Sequence, residues 1–503
     1  MAAGTLIIRA DASIALGTGH VMRCLALAQA WQDAGGDTVF AMAQCTPATE
    51  DRLRSQQFRI IALDVPPASV QDAAQVGQLA RTEDPAWVVV DGYHFGAEYQ
   101  HNVKRRGTRL LFIDDIGHAE HYFADLVLNP NLHAGEDLYR QREPYTKLLL
   151  GPRYAILRRE FQSWREWQRE TAPVGRKVLV TMGGSDTENV TARAILALQL
   201  IPIEKLEATV VVGGSNPHIE SLEQAAAHSA RSIRLLKNVQ NMPELMAWAD
   251  VAVAAAGSTC WEMSLLGLPT ILVDVAANQT PVAHALDQKG VAVHLGSPKN
   301  AGPELIAETL QSLLLSKDIR VTMSQRAREL VDGRGAARVV SAIRSGTLRL
   351  RRVEDKDCRL LWEWANDTEV RAVSFSSEVI SWEQHLGWFR SKCADPNAAL
   401  YLATDLENAP VGHVRYQLEG TRAVVSINLA TEFRGKGYGN ILLAMATEEL
   451  FRSTKAITID AYVKPGNEAS LRLFTRAGFR RGTPERISGQ QAVHFVLEKN
   501  GVL

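Results

Sequence analysis

The sequence predicts an α/β chain in which two Rossmann-like domains are followed by an α+β domain. Three observations predict this. Short apolar runs alternate with amphipathic, helix-length segments from Thr5 onward. The same strand–Gly–helix alternation starts afresh at Lys177. The last stretch instead orders its elements as helix, three strands, helix, strand, helix, strand. A length of 503 residues exceeds one ordinary core. We place the domains at 1–153, 154–345 and 346–503.

Element by element, Thr5–Arg9 reads as a strand and 18–33 as a helix ending before Gly35-Gly36. Ala86–Asp91 and Leu110–Asp114 are β-rich runs ending in acid, which is how an open parallel sheet presents polar groups at its carboxyl edge. Asn129-Pro130-Asn131 is a loop. Residues 155–176 are charged and helix-compatible, with a break at Pro173-Val174-Gly175. Strands are expected at 177–181, 208–212, 250–255 and 270–275. Each runs into a turn: Gly183-Gly184-Ser185, Gly213-Gly214-Ser215, Gly257-Ser258-Thr259 and Asn278-Gln279. A boundary falls at Ser345-Gly346, and Arg349, Arg351 and Arg352 read as a solvated linker or interface. Asp355-Lys356-Asp357 is expected to cap the third domain's first helix, and a later strand, Val424–Leu429, leads into a helix at 440–451.

Composition excludes several classes. Apolar residues make up 46% and charged residues 22%, the proportions of a soluble globular chain. Fifty-five basic against 56 acidic residues leave a net charge of −1, so no global field favours nucleic acid or an anionic membrane. No apolar run approaches the roughly 20 residues of a membrane span. The first nine residues lack a basic n-region and read as a buried strand, not a signal peptide. Cys24, Cys45, Cys260, Cys358 and Cys393 are scattered, with no CxxC pair. That pattern fits a reducing cytoplasm better than a disulfide framework or zinc site.

Three stretches carry chemistry. Gly17-Thr18-Gly19, between a strand and a helix, exposes amides at the positive end of a helix dipole, a physical site for phosphate. Thr18 is equally an ordinary N-cap residue. His20 stands in the first turn, where the dipole disfavours imidazolium; it reads either as a general base or as a packed histidine. Thr259-x-x-Glu262 has capping-box spacing, while a glutamate one turn past a Gly-Ser-Thr loop can also accept ribose hydroxyls. Farther on, Arg434-Gly435-Lys436-Gly437-Tyr438-Gly439 follows a strand and opens a helix, again a pyrophosphate-binding arrangement.

Together Arg9-x-Asp11, Gly17-x-Gly19-His20-x-x-Arg23, Asp91-Gly92-Tyr93, Asp114-Asp115, Gly257-Ser258-Thr259-x-x-Glu262 and the ending Asp332-Gly333-x-Gly335 closely resemble the UDP-sugar hydrolase family of pseudaminic acid biosynthesis. The resemblance covers residues 5–340 and implies the GT-B architecture, with a nucleotide-sugar held between two Rossmann-like halves. It implies cleavage of UDP from a 2,4-diacetamido-2,4,6-trideoxy-altrose, with His20 activating water and inversion at the anomeric carbon. Tyr93 and Asn278 would position sugar and water. Arg9, Asp11, Gly17, Thr18, Gly19, Arg23, Gly183, Gly184, Ser185, Gly257, Ser258, Thr259 and Gln279 would bind substrate, with Glu262 on the ribose. Ala277 stands where the family has an acid. No Asp-x-Asp motif occurs in these halves, so no metal is expected.

Residues 347–498, through the loop at 434–439 and Asn467-x-x-Ser470…Phe474-x-x-x-Gly478-Phe479, resemble the GNAT acetyltransferases. The resemblance implies acetyl-CoA as cosubstrate. Asn428, Leu429, Arg434, Gly435, Lys436, Gly437, Tyr438, Gly439, Asn467 and Ser470 would bind it, with the Leu429 N–H, at a strand bulge, polarising the thioester carbonyl. Phe474 replaces the family's proton-donating tyrosine, leaving water, Tyr462 or an unassisted thiolate. Glu378, His413 and Tyr416 are base candidates that read equally as structural residues, and Trp362, Trp364, Trp382 and Trp388 either pack the core or stack on the acceptor. The two resemblances name consecutive steps: acetylation of the C4 amine of a UDP-4-amino-6-deoxy-altrosamine, then release of UDP. A GT-B glycosyltransferase fused to an acetyltransferase, or one half acting as an inactive scaffold, are the alternatives.

Overall fold

The computed structural model describes residues 4–499 apart from 14–15, 84, 105–107, 238, 240, 347 and 406–407. The outer domain limits, residues 1 and 503, lie outside the described residues. Contacts divide the chain into two compact units, Ala3–Val340 and Ser341–Leu503.

The first unit contains two parallel sheets. Its first sheet is built from β1 (Thr5–Ala10), β2 (Asp37–Met42), β3 (Arg59–Ala62), β4 (Pro85–Asp91), β5 (Leu110–Ile113), β6 (Leu126–Asn129) and β7 (Lys147–Leu150), in the order β3-β2-β1-β4-β5-β6-β7. β1 pairs in parallel with β2 and β4. Helices cover both faces, so the strands read as unbroken apolar runs: Leu6, Ile7, Ile8, Val88, Val89 and Val90 are all fully buried. The second sheet contains β8 (Lys177–Thr181), β9 (Glu207–Val212), β10 (Ser232–Lys237), β11 (Val251–Ala255), β12 (Thr270–Val273) and β13 (Ala292–His294), in the order β10-β9-β8-β11-β12-β13. Both are doubly wound, with the strand order reversing beside β1 and β8.

Residues 155–176 correct the sequence reading. Only the short 3-10 turn Arg159–Trp164 forms there. Carbonyls that a helix would use internally are taken from outside: Arg328 donates to those of Arg165 and Trp167. Arg169 reaches the carbonyls of Met246, Ala249 and Leu266. The segment is stapled in an irregular path over the second sheet's helices.

The second unit has one mixed sheet: β14 (Arg349–Arg352), β15 (Ala398–Thr404), β16 (Pro410–Glu419), β17 (Arg422–Leu429), β18 (Thr458–Val463), β19 (Arg480–Arg481), β20 (Glu485–Ile487) and β21 (Gln490–Glu498). The order is β14-β15-β16-β17-β18-β21-β19, with β20 paired to β21. The arginines read as a linker are therefore an edge strand, with Arg351 paired to Asp357 at 2.6 Å and Arg352 over the Tyr401 ring. Asp357 also accepts the Glu354 N–H, completing a capping box ahead of helix Cys358–Ala365. β17 and β18 pair in parallel only from Arg422↔Thr458 to Val424↔Asp460, although both strands continue. Beyond that point no pairing holds them together.

Among the described residues no helix is long and apolar enough to cross a membrane. Nor does any group of three or more His, Cys, Asp or Glu among them stand ready to hold a metal ion.

Candidate functional site

Ligands of open parallel sheets sit outside the strands' carboxyl ends where the strand order reverses. Here both reversals open onto one cleft of about 900 Å³. β1 leads to Gly17-Thr18-Gly19 and β4 to Tyr93; β8 leads to Gly183-Gly184-Ser185 and β11 to Gly257-Ser258-Thr259. All of these line the cleft, as do His20, Arg23, Glu262, Asn278 and Gln279.

On the first-sheet side, helix Gly19–Asp33 presents His20 and Arg23 one turn apart. His20 Nδ1 lies 2.7 Å from Asp91 Oδ1, and Arg23 holds the same carboxylate through Nε at 2.5 Å and Nη2 at 2.6 Å. Burial alone would raise the Asp91 pKa, but the Arg23 charge and His20 overcome it and hold the carboxyl well below the usual range. An ionised oxygen so close favours an imidazole proton on Nδ1, and in the neutral ring of that tautomer Nε2 is the acceptor. Arg23 Nη1 continues to Asp115 Oδ2 at 2.6 Å. That oxygen also accepts the Tyr93 hydroxyl at 2.8 Å, while Asp115 Oδ1 accepts from Asn131. Asn278 Nδ2, from the second-sheet side, donates to the Tyr93 hydroxyl oxygen at 2.8 Å. Burial, then Asp115, push the Tyr93 pKa far up, so the phenol stays protonated.

On the second-sheet side the loops are made for close approach. A Cβ on Gly213 would come within 2.4 Å of the Gly183 and Gly184 carbonyls, and one on Gly184 within 2.8 Å of Thr18 Oγ1. Helix Thr259–Leu265 starts at Ser258 without a side-chain cap, so the expected capping box is absent. Glu262 turns instead to Arg158, whose Nε donates to Oε1 at 2.8 Å; Glu262 is mostly buried yet lines the cleft. Thr18 likewise makes no side-chain cap. Gln279 Oε1 accepts the Val275 N–H, bracing the loop that carries Asn278.

Two expected substrate contacts are not at the cleft. Arg9 and Asp11 are buried to at most 1% exposure. Arg9 forks onto Asp11 and onto Asp72, from helix Val70–Thr82, and Asp11 accepts the Ala43 and Gln44 N–H groups. They brace the β1 and β2 ends. Sequence reasoning gave no role to Asp115 or Arg158. Asp115 stood at a strand end, where a polar residue was a usable signal; Arg158 carried none.

In the second unit, Gly435, Lys436 and Gly437 are exposed before helix Tyr438–Ser453, and Gly437, at φ +81°, occupies a conformation that glycine suits. Arg434 turns its side chain away from the loop, to the Leu429 carbonyl, Asp367 and Glu369. β16 and β17 stay in register through Gly412↔Leu429, so Leu429 sits at no bulge; the opening comes from the parting of β17 and β18. Asn428 donates to the Trp364 carbonyl, and Asn467 accepts the Ser470 N–H as a helix cap. Phe474 packs on Phe479 and Phe495. Burial pushes His413 down to about 3, and Tyr416 is buried against Thr447; Glu378 is exposed. Trp362 donates to the Ile380 carbonyl and meets Trp382, Trp364 lies on His413, and Trp388 lies under Arg415, so all four tryptophans pack.

Comparison with known proteins gives relatives for both units. Residues 178–338 match the glycosyltransferase family 28 C-terminal domain and 347–480 the acetyltransferase (GNAT) domain. The UDP-2,4-diacetamido-2,4,6-trideoxy-beta-L-altropyranose hydrolase of Campylobacter jejuni is 26% identical over 294 residues, 57% of this chain and 98% of that protein. The uncharacterized protein MJ1062 of Methanocaldococcus jannaschii is 23% identical over 497 residues, 95% of this chain and 96% of that one. The crystal structure of Acinetobacter baumannii MurG shares the fold, with a TM-score of 0.50 at 17% identity over 68% of this chain and 99% of that one. The chain thus joins a GT-B homologue of a UDP-altropyranose hydrolase, with a family 28 C-terminal half, to a GNAT acetyltransferase domain.

Proposed function

We propose that the first unit hydrolyses a UDP-linked diacetamido sugar and that the second acetylates its 4-amino precursor. The observation that carries the reading is the His20–Asp91 pair facing a cleft beside Tyr93 and Asn278. Water bound at His20 Nε2 gives up its proton as its oxygen attacks the anomeric carbon; the C1–O bond to the diphosphate breaks and configuration inverts. Asp91 steadies the imidazolium that forms. Tyr93 and Asn278 orient the water and sugar. Amides of the 183–185 and 257–259 loops take the departing diphosphate charge, so neither a strong acid nor a metal is required. Glu262, held by Arg158, accepts from the ribose.

In the second unit the free C4 amine attacks the acetyl-CoA thioester, whose diphosphate rests on the Arg434–Gly439 amides. The Leu429 N–H stabilises the oxyanion. As the amide bond forms the C–S bond breaks and the amine gives up a proton to solvent; buried Phe474 has no proton to donate to the leaving thiolate, which is protonated by water or Tyr462. Acetylation precedes hydrolysis.

The family 28 match and the MurG-like fold favour a second reading, transfer of the sugar to an acceptor other than water. One experiment separates them. The protein is incubated with UDP-linked 4-amino-4,6-dideoxy-N-acetyl-altrosamine, with and without acetyl-CoA, and products are followed by mass and NMR. Acetyl-CoA-dependent appearance of free diacetamido sugar and UDP supports the proposal. Acetylation with the UDP-sugar left intact favours the transferase.

A further inference from the structure

Within the second unit, the Arg434–Gly439 loop is braced by a residue that precedes the stretch matching the GNAT domain. Arg344 stands at the end of helix Gly335–Ser345, before the 347–480 stretch that matches the GNAT domain. It is only 6% exposed. Three successive loop residues meet its guanidinium. Nη2 donates to the Lys436 carbonyl. A Cβ on Gly437 would come within 2.8 Å of Nη1. The Tyr438 ring centre lies 4.8 Å from the guanidinium carbon, and the same ring meets Phe433 edge-on at 5.1 Å.

The chemistry of the loop gives this contact a purpose. A loop that cradles a diphosphate must turn successive N–H groups toward the anion and its carbonyls away. In an exposed Gly-Lys-Gly stretch nothing intrinsic holds that orientation. A buried cation that captures the Lys436 carbonyl from behind fixes it. It also places a full positive charge behind the site where two phosphate charges are to sit.

We propose that Arg344 is a positioning residue for acetyl-CoA binding, acting through Lys436, Gly437 and Tyr438. This rests on the reading that the 434–439 loop holds the acetyl-CoA diphosphate. No group transfer is assigned to Arg344 itself.

The test uses the full-length protein with Arg344→Met, which keeps the apolar stem, and Arg344→Lys, which keeps the charge. Coenzyme A affinity is read by calorimetry, and KM and kcat for acetyl-CoA and for the amino sugar by steady-state rates. The expected result for Arg344→Met is about a tenfold weaker Kd for coenzyme A and a matching rise in KM for acetyl-CoA. The amino-sugar KM and the rate of UDP release stay within twofold, and Arg344→Lys recovers part of the loss. Unchanged coenzyme A affinity overturns the proposal, as does an equal loss in both KM values, which marks a merely structural role. If Arg344→Met does not fold, Arg344→Lys decides: its single cationic head cannot reproduce the fork, so a wild-type Kd overturns the proposal and a severalfold weaker one supports it. Wild-type protein that binds no coenzyme A sinks the acetyl-CoA reading itself, a different failure.

Discussion

Asp91→Asn is the most incisive perturbation of the proposed hydrolase site. The carboxylate receives four contacts: His20 Nδ1 and Arg23 Nη2 on one oxygen, Arg23 Nε and the Cys24 thiol on the other. An amide offers one accepting oxygen. Whichever way it turns, its NH2 faces either His20 and Arg23 Nη2 or Arg23 Nε, and a fully buried donor meets a donor. Each unsatisfied buried donor costs about 1–3 kcal/mol. Arg23 keeps Asp115 at 2.6 Å, so the loss stays below that of an unpaired buried charge, about 3 kcal/mol in all. For the chemistry the tautomer matters more. With the NH2 turned to His20, the orientation that leaves the amide oxygen to Arg23 Nε and the Cys24 thiol, Nδ1 becomes the acceptor and the ring proton moves to Nε2, which can then no longer take one from water. A loss in kcat of about 10³–10⁴ follows, the scale found when a histidine base is held in the wrong tautomer. The assay is UDP release under saturating substrate, with thermal denaturation run in parallel. The linkage has a definite sign: the depressed Asp91 pKa stabilises the fold above the ordinary Asp value of 3.8 and is lost as pH falls below it. Asp91→Asn therefore flattens the acid limb of the stability curve. A folded Asp91→Asn protein that releases UDP within tenfold of wild type refutes the dyad.

Tyr93→Phe removes the hydroxyl that joins Asp115 to Asn278, and kcat for hydrolysis should fall about 10–100-fold with KM within threefold; a loss confined to KM counts against water positioning. Gly213→Ala forces a methyl onto two carbonyls, which should cost about 1–3 kcal/mol in melting experiments and weaken UDP binding at least tenfold by calorimetry. EDTA should leave the hydrolytic rate unchanged, because on this reading loop amides meet the leaving charge; inhibition reversed by added Mg²⁺ argues for a metal.

The parallel sheets were legible because a strand buried on both faces leaves an apolar run and its turn leaves glycines. β8, β9, β11 and β12 announced themselves that way. β10 did not: its sequence Ser-Ile-Arg-Leu-Leu-Lys mixes charge into an edge strand. β14, Arg-Leu-Arg-Arg, looked like a linker for the same reason. At the site, glycine loops and His20 were readable because their chemistry is local. Arg9 and Asp11 were misread because what removes them from the cleft, Asp72, lies 63 residues from Arg9 on another helix. The parting of β17 from β18 is a property of register, which no single strand records.

The Tyr93–Asn278 hydrogen bond spans the cleft, and the two partners are the ones proposed to orient the water and the sugar. Any widening of the cleft breaks that bond and dismantles the constellation. On the proposed reading, exchange of ligands and bond cleavage then fall to different arrangements of the cleft.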